Sequence, residues 1–491
     1  MTADLRPLTP FERGFEHLNQ VASSLNVITL SRIEGPLTPA LVQGALQRLQ
    51  QQHPRLQCCL EGSLAQGLRF RAAPPGPLPL RLVTTEDPDA WRSHLHQELN
   101  TPLASDRTLG RWVLVSQPHT DSHHLDRHHL ITTLHHGIAD GLSSLHLQGE
   151  LLSHCASILA EGDRPNIEEP SVEGSASHDP GSDDFGSENP GSDDFGSDNF
   201  GSDILKPRSH KPRSQPLTLQ PLPALEHLLP ASHRGWRGQV QGLGLLLGLA
   251  WKWWRLRPKM LPFEKTAPLG DRRCDLVQRR LSATETEQLV QCCRRQQTTV
   301  QGALAAAFLL TVAQALGGDR PRPLTLGCSS YTDLRRRLTP ALDPGQLGLF
   351  ISALASFHHL PPVPSFWDLA REVKQQLTAG LGRGDQFAAA LMGGPLIEVM
   401  LATPDRTAIA VNITNGGRLN IPATYGPLRL QEISFMPSQS AFGGSLDAAV
   451  TTFQGAMVLN FMFSTPASSR EQRERLATTA IDLLQSAVSQ G

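Results

Sequence analysis

Aromatic side chains are scarce in this sequence, and so is any excess of charge. Phe, Trp and Tyr make up 5% of the 491 residues, while 44 Lys and Arg face 46 Asp and Glu, for a net charge of −2. Binding a nucleic acid takes a basic stripe for the phosphates and aromatic platforms for the bases. Neither is present, so no nucleic-acid partner is expected. Cysteine is sparse and scattered: Cys58-Cys59, Cys155, Cys274, Cys292-Cys293 and Cys328, seven in all with no Cys-x-x-Cys pair. That pattern is not a disulfide framework and reads as a reducing, cytoplasmic setting. The N-terminus lacks an apolar h-region, so no signal peptide is expected. Long apolar runs are missing as well. Leu243 to Trp254 is the longest, but glycines and Lys252 interrupt it, and it falls short of the roughly 20 residues of a membrane span. A P-loop, a dinucleotide glycine fingerprint, a Gly-x-Ser-x-Gly elbow and a His-Glu-x-x-His pair are all absent, which removes the commonest nucleotide, serine-hydrolase and zinc-protease chemistries.

What is present is globular material, 39% hydrophobic and 18% charged, enough for two or three domains at about 150 residues each. Asn26 to Ile33 alternates like a strand, and Pro39 to Gln51 carries Leu41, Ala45, Leu46 and Leu49 at helical spacing until His53-Pro54 ends it. Arg111 to Val115 and His129 to Leu134 read as strands, and Leu142 to Leu152 reads as a helix. Between residues 162 and 216 the core-forming pattern stops. Pro180-Gly-Ser-Asp-Asp-Phe-Gly-Ser187 recurs from Pro190, and a basic tail, Lys206 to Arg213, follows. Such an acidic Gly/Ser tract cannot bury enough apolar surface to offset its ordering entropy, so a disordered insertion is expected there. Three segments result: a first lobe over 1–161, the insertion over 162–216 and a second lobe over 217–491. In the second lobe Ser282-Ala-Thr-Glu285 predicts a capped helix start, Thr299 to Leu316 a buried Ala-rich helix, and Ser469 to Val488 a final helix. Leu324–Ser330, Leu349–Phe357, Ile409–Ile413 and Met457–Phe463 read as strands.

The segment with the most chemistry in it is His135-His136-Gly137-Ile138-Ala139-Asp140-Gly141, on a strand-to-helix turn. Imidazole ionises near neutral pH and is the natural general base. Adjacent residues of an extended segment face opposite sides, so only one of the two histidines can face a given cleft. Asp140 lies beyond the turn and can anchor it, and Gly141 leaves room for a close approach. Other readings stay open from the residues alone. A His-His pair is commonly a packed or surface feature, and His119, His123, His124, His128, His129, His146 and His154 lie nearby. A metal site is the second alternative, although no helical His/carboxylate pair accompanies this one.

The motif resembles the active-site segment of the CoA-dependent acyltransferase superfamily, which includes chloramphenicol acetyltransferase, nonribosomal peptide condensation domains and the polyketide-associated acyltransferases of the phthiocerol/phthiodiolone dimycocerosyl transferase type. Arg6 to Arg13, Glu34-Gly-Pro-Leu37, His53-Pro-Arg-Leu56, Thr298 to Ala307, Asp333-Leu-Arg335 with Gly348-Leu-Phe350, and Asn415-Gly-Gly-Arg418 are similar to that last group, in the same order. Asp333 stands where those proteins usually carry Asn, Asn415 follows Thr414 instead of Ser, and Ala441-Phe-Gly-Gly444 only approximates an Asp-Phe-Gly-type segment.

The resemblance implies an α/β fold of two chloramphenicol-acetyltransferase-like lobes, each a mixed β-sheet flanked by helices, with an active-site tunnel between them. It implies an O-acyltransferase in which His136 is the general base, Asp140 anchors the motif by pairing with Arg335, and His135, Gly141 and Asn415 support the site. The donor would be acyl-CoA or an acyl carrier protein bearing a fatty or polyketide acyl group, the acceptor a lipidic or polyketide alcohol, and no cofactor, metal or acyl-enzyme would be needed. An amide-forming condensation enzyme and a catalytically silent carrier-protein-binding module are the alternatives. Residues 243–259, with their lysines and arginines, leave open a peripheral membrane contact or a helix packed on the second lobe.

Overall fold

The computed structural model describes residues 6–117, 126–162, 223–317, 322–406 and 408–490. The insertion read at 162–216 lies outside them, apart from Gly162.

The first half contributes strands β1 (Val27–Glu34), β2 (Cys58–Ser63), β3 (Gly67–Ala72), β4 (Leu80–Thr84), β5 (Gly110–Gln117) and β6 (Arg127–Leu134), with helices α1 (Pro10–Ala22), α2 (Pro39–Gln52), α3 (Ala90–Asn100) and α4 (Gly141–Gly162). The second half contributes β7 (Arg273–Leu281), β8 (Leu324–Asp333), β9 (Ile351–Leu360), β10 (Val411–Arg418), β11 (Thr424–Tyr425), β12 (Leu428–Pro437), β13 (Leu446–Phe453) and β14 (Ala456–Thr465). Its helices are α5 (Leu225–Leu228), α6 (Gly235–Leu256), α7 (Ala283–Arg295), α8 (Val300–Gly317), α9 (Phe366–Arg383), α10 (Asp385–Ala402) and α11 (Arg470–Gln490).

Two six-stranded mixed sheets organise the chain, in the orders β11-β12-β1-β6-β5-β4 and β7-β14-β13-β10-β8-β9. In the first, β4 and β5 run parallel and the other neighbours antiparallel; in the second, β10 runs parallel to both β8 and β13. β12 departs from a simple division by sequence. It comes from the second half yet pairs antiparallel with β1, from Val27 opposite Pro437 to Glu34 opposite Arg429. One strand pair thus leaves its own half and completes the other lobe's sheet, tying the two together.

Local chemistry explains the main elements. Thr9 and Glu12 form a reciprocal capping box at the start of α1, with Pro10 in its first turn, and Ser282 with Glu285 does the same for α7. α8 is apolar on all sides, as expected of a helix buried all round, and it packs between α9 and α11 on the second sheet. It is the one described helix long and apolar enough to cross a membrane, and 67% of it is buried inside the protein. β6, between β1 and β5, is buried along seven of its eight residues and points its C-terminal end at the junction of the lobes. The His-His motif follows directly.

Candidate active site

Strand β6 delivers the two histidines to opposite sides. The His135 side chain turns into the first lobe, where Nε2 meets Glu16 Oε2 at 2.9 Å and both groups are buried. The Gly137 N–H donates to His135 Nδ1 at 3.0 Å, so Nδ1 is the acceptor and Nε2 carries the proton toward Glu16. Burial opposes ionisation of Glu16, but hydrogen bonds from His135, Ser105 and Gln20 outweigh it and hold the carboxyl below its ordinary range. His135 is therefore a strut. It fixes the turn to α1 and sends its neighbour the other way.

His136 faces a cavity of about 2030 Å³ between the lobes. Its ring keeps 7% exposure and stacks on Phe15 of α1, with centroids 4.2 Å apart. Burial pushes its pKa down to about 4, although the Asp140 charge and the carbonyls of His136 and Ala139 favour the cation. Nδ1 has no hydrogen-bond partner that meets ordinary geometry. At neutral pH the ring is uncharged and able to accept a proton.

Asp140 closes the turn and is fully buried. Its Oδ2 accepts from Arg335 Nη1 at 2.8 Å and from the Phe350 N–H at 3.1 Å; its Oδ1 accepts from Arg335 Nη2 at 3.1 Å and from the Ser143 N–H at 2.9 Å. Burial alone would raise its pKa, but the Arg335 charge and these bonds bring it below the usual carboxylate range. Arg335 also donates to Asp333 at 2.8 Å and to the Gln346 carbonyl at 3.1 Å. A carboxylate on the first lobe and a guanidinium on the second thus form a bidentate pair across the lobe junction, directly beneath the His136 turn. Asp333 is pushed up by burial and by the nearby Asp140 charge, with Arg335 pulling the other way.

Gly141 makes room for a protein side chain. A Cβ there would stand 2.2 Å from the ring of Phe435, on the strand that crosses from the second half. Asn415 lies on the cavity wall at the irregular end of β10, where its Oδ1 accepts from the Gly417 N–H at 2.9 Å and Gly417 adopts φ +68°. The positive φ accounts for that glycine. His136, Gly141, Arg335 and Asn415 all border the cavity, whereas His135 and Asp140 stand behind it as supports.

Three neighbours were not singled out from sequence. Glu16 carries a spacing signal, since Glu12, Glu16 and Asn19 fall along one side of α1. Phe15, which supports the His136 ring, has none beyond its place in the core. His146, on α4 and lining the same cavity, is shifted down by burial and by the charge of Arg335. All seven cysteines are buried and free, and burial pushes the thiol of Cys293, the one that borders the cavity, up to about 12.

The buried histidines carry a stability consequence. His136 and His129 are both lowered to about 4, His129 chiefly by burial and then by the Arg32 charge. The unfolded chain, with histidine near its ordinary value, binds protons at a higher pH than the folded one, so stability falls with acidification. The contribution is complete above about pH 6.5 and is lost toward pH 4, on the order of 3 kcal/mol per histidine. Urea midpoints measured from pH 8 to 4 are expected to hold steady and then drop in that window. His129→Gln should make the drop shallower; an unchanged slope would refute the assignment.

Residues 270–467 match the phthiocerol/phthiodiolone dimycocerosyl transferase C-terminus family. No curated protein matches the chain. Among solved structures, polyketide synthase associated protein 5 from Mycobacterium tuberculosis is similar at 18% identity and TM-score 0.65, covering 99% of this chain and 98% of its own. The TRI3 trichothecene 15-O-acetyltransferase from Fusarium sporotrichioides is similar at 14% identity and TM-score 0.69, covering 98% and 95%. The first condensation domain of the calcium-dependent antibiotic synthetase is similar at 15% identity and TM-score 0.66, covering 100% and 97%. Residues 270–467 thus carry the match to that family, and the whole chain shares the two-lobed fold of these acyltransferase and condensation-domain structures.

Proposed function

We propose that this protein transfers an acyl group from a CoA or acyl-carrier-protein thioester to a hydroxyl acceptor, with His136 as general base. The observation that carries this is an uncharged, cleft-facing imidazole at the lobe junction, held on a turn anchored by Asp140 and Arg335. His136 takes the proton of the acceptor hydroxyl as its oxygen attacks the thioester carbonyl. The tetrahedral oxyanion collapses, the C–S bond breaks, and the proton passes to the departing thiolate, giving an ester and a free thiol. A ring lowered to about 4 is a weak base. The imidazolium forms together with the oxyanion, however, and that new negative charge stabilises it in the same buried space. The transfer is direct, with no acyl-enzyme in the proposed sequence of steps.

The lining supports a phosphate-bearing donor. Nine Lys or Arg side chains border the cavity, Arg294, Arg336, Arg337, Lys374 and Arg406 among them, against four Asp or Glu. In a chain of net charge −2 this is a local concentration of positive charge, suited to the phosphates of CoA or of a carrier protein's prosthetic arm. The apolar part of the lining suits a long acyl chain or a lipidic alcohol.

Thiol release from acyl-CoA and acyl-carrier-protein donors, measured against a panel of alcohols and amines, tests the reading. Acceptor-dependent release with a stoichiometric ester product is expected. Release without an acceptor adduct would point to hydrolysis and overturn it, and a product formed only with amines would replace the ester by an amide. The pH profile of kcat/KM is expected to stay level from about pH 8 to pH 5, because the base loses its free electron pair only near 4.

A further inference from the structure

Helix α6 is packed on one narrow strip. Its only buried residues are Gly238 and Gly242, where a Cβ would meet Leu391 at 2.8 Å and Met392 at 2.7 Å on α10. Small residues four apart let the two helices approach closely, and nothing else on α6 is buried. The rest of the helix has two further faces. Leu245, Leu246, Leu249 and Trp253 border the cavity that holds His136. Trp236, Val240, Leu243, Leu247, Trp251 and Trp254 point away from it and are between 57% and 71% exposed. At 3.6 residues per turn these six fall within one arc of about 80°.

This concentration is not ordinary surface. Of the twelve large hydrophobic side chains exposed among the described residues, eight belong to α6, and Leu396 and Val399 lie on its packing partner α10. Contiguous exposed apolar surface marks a binding face. Charge identifies the occupant. From Glu226 to Glu264 the intervening sequence contains no acidic residue but carries Arg234, Arg237, Lys252, Arg255, Arg257 and Lys259. Arg237 and Arg255 flank the apolar arc on one side. Exposed tryptophans and leucines beside arginines and lysines, without acids, fit the boundary between anionic headgroups and acyl chains.

We infer that α6 docks this protein on an anionic lipid surface and forms the wall past which a lipidic acceptor enters the cavity. The helix lies in the headgroup region on its Trp236–Trp254 arc, and its opposite side lines the passage to His136. The entry route rests on the acyl-transfer reading above; the docking does not.

Flotation of the full chain with phosphatidylcholine vesicles, with and without about one-third phosphatidylglycerol, tests both. At about 0.1 M salt the protein is expected to bind the anionic vesicles about tenfold or more better than the neutral ones, and to lose most of that preference at about 0.5 M. The double variant Leu247→Glu/Trp251→Glu, with circular dichroism and melting temperature confirming its fold, should lose binding about tenfold or more. His136→Ala should bind vesicles as the parent does, so failure of the acyl-transfer reading would leave docking in place. Acyl transfer to soluble alcohols without vesicle binding would overturn docking alone. Docking is also overturned if the charged variant binds as well as the parent. It is overturned equally if the chain is a dimer that ignores vesicles and becomes monomeric in that variant, since the arc would then be a self-association face.

Discussion

His136→Ala is expected to lower kcat for acyl transfer about 10²–10⁴-fold while leaving the fold in place, the range by which a positioned acid–base group accelerates proton transfer. The loss should fall on kcat more than on KM. The ring touches Phe15 and borders one point of a cavity of about 2030 Å³, so most donor and acceptor contacts survive its removal. Truncation also removes a buried group whose Nδ1 lacks a good partner, so thermal stability should change little, and it should become less sensitive to acid. His136→Gln is a stricter test, since it restores polarity and approximate size without basicity and should be nearly as inactive. The matched control is His135→Gln. His135 is bonded to Glu16 and the Gly137 N–H, so its loss should act through the turn, lowering stability and activity together. Turnover within a few-fold of the parent in His136→Ala, with ester still formed, would remove the imidazole from the mechanism.

The contrast between the two histidines shows how far the sequence could be read. The alternation of β6 and the helical spacing after Gly141 are local patterns, which is why a strand-to-helix turn bearing one cleft-facing histidine was legible. Which histidine faces the cleft was not a local matter. It depends on Glu16, 119 positions before His135 in sequence, which holds that ring inward. The same limit applies to Gly141. Its need for space was readable as a missing side chain, but the occupant is Phe435, on a strand that leaves the second half to join the first sheet. No periodicity within β12 announces which sheet it will enter. Arg335 as the partner of Asp140 was suggested by resemblance, and the bond is bidentate, but the sharing of that guanidinium with Asp333 and the Gln346 carbonyl emerges only from packing. The apolar run at Leu243 was visible as composition. Its exposure, and its rest on two glycines, belong to tertiary structure.

Breaking the Asp140–Arg335 pair should have the largest effect on stability of any single change at the site. Both side chains are fully excluded from water; removing Arg335 leaves Asp140 as an uncompensated buried charge, at a cost of about 3–5 kcal/mol, whereas removing Asp140 leaves Arg335 only the partly exposed Asp333 as its carboxylate. Against a total of about 5–15 kcal/mol for a typical domain, Asp140→Ala should show as low folding yield and a much reduced urea midpoint. It strands the Phe350 and Ser143 N–H groups and removes two of the guanidinium's four hydrogen bonds. Arg335→Ala should differ in its pH dependence. With the cation gone, burial raises the Asp140 pKa, so that variant should lose most stability at neutral pH and recover part of it on mild acidification, opposite to the parent. The double replacement Asp140→Leu/Arg335→Met, which exchanges the pair for apolar groups, should regain stability relative to either single change, because neither member is left fully buried without the other. Activity should not return with it, since the hydrogen bonds that set the turn under His136 are absent. Denaturant midpoints for the four proteins of this cycle, paired with kcat, separate the two roles. A coupling energy near zero would mean that the pair does not act as a unit. Recovered turnover in the double variant would mean that the pair only holds the lobes together and does not position the base.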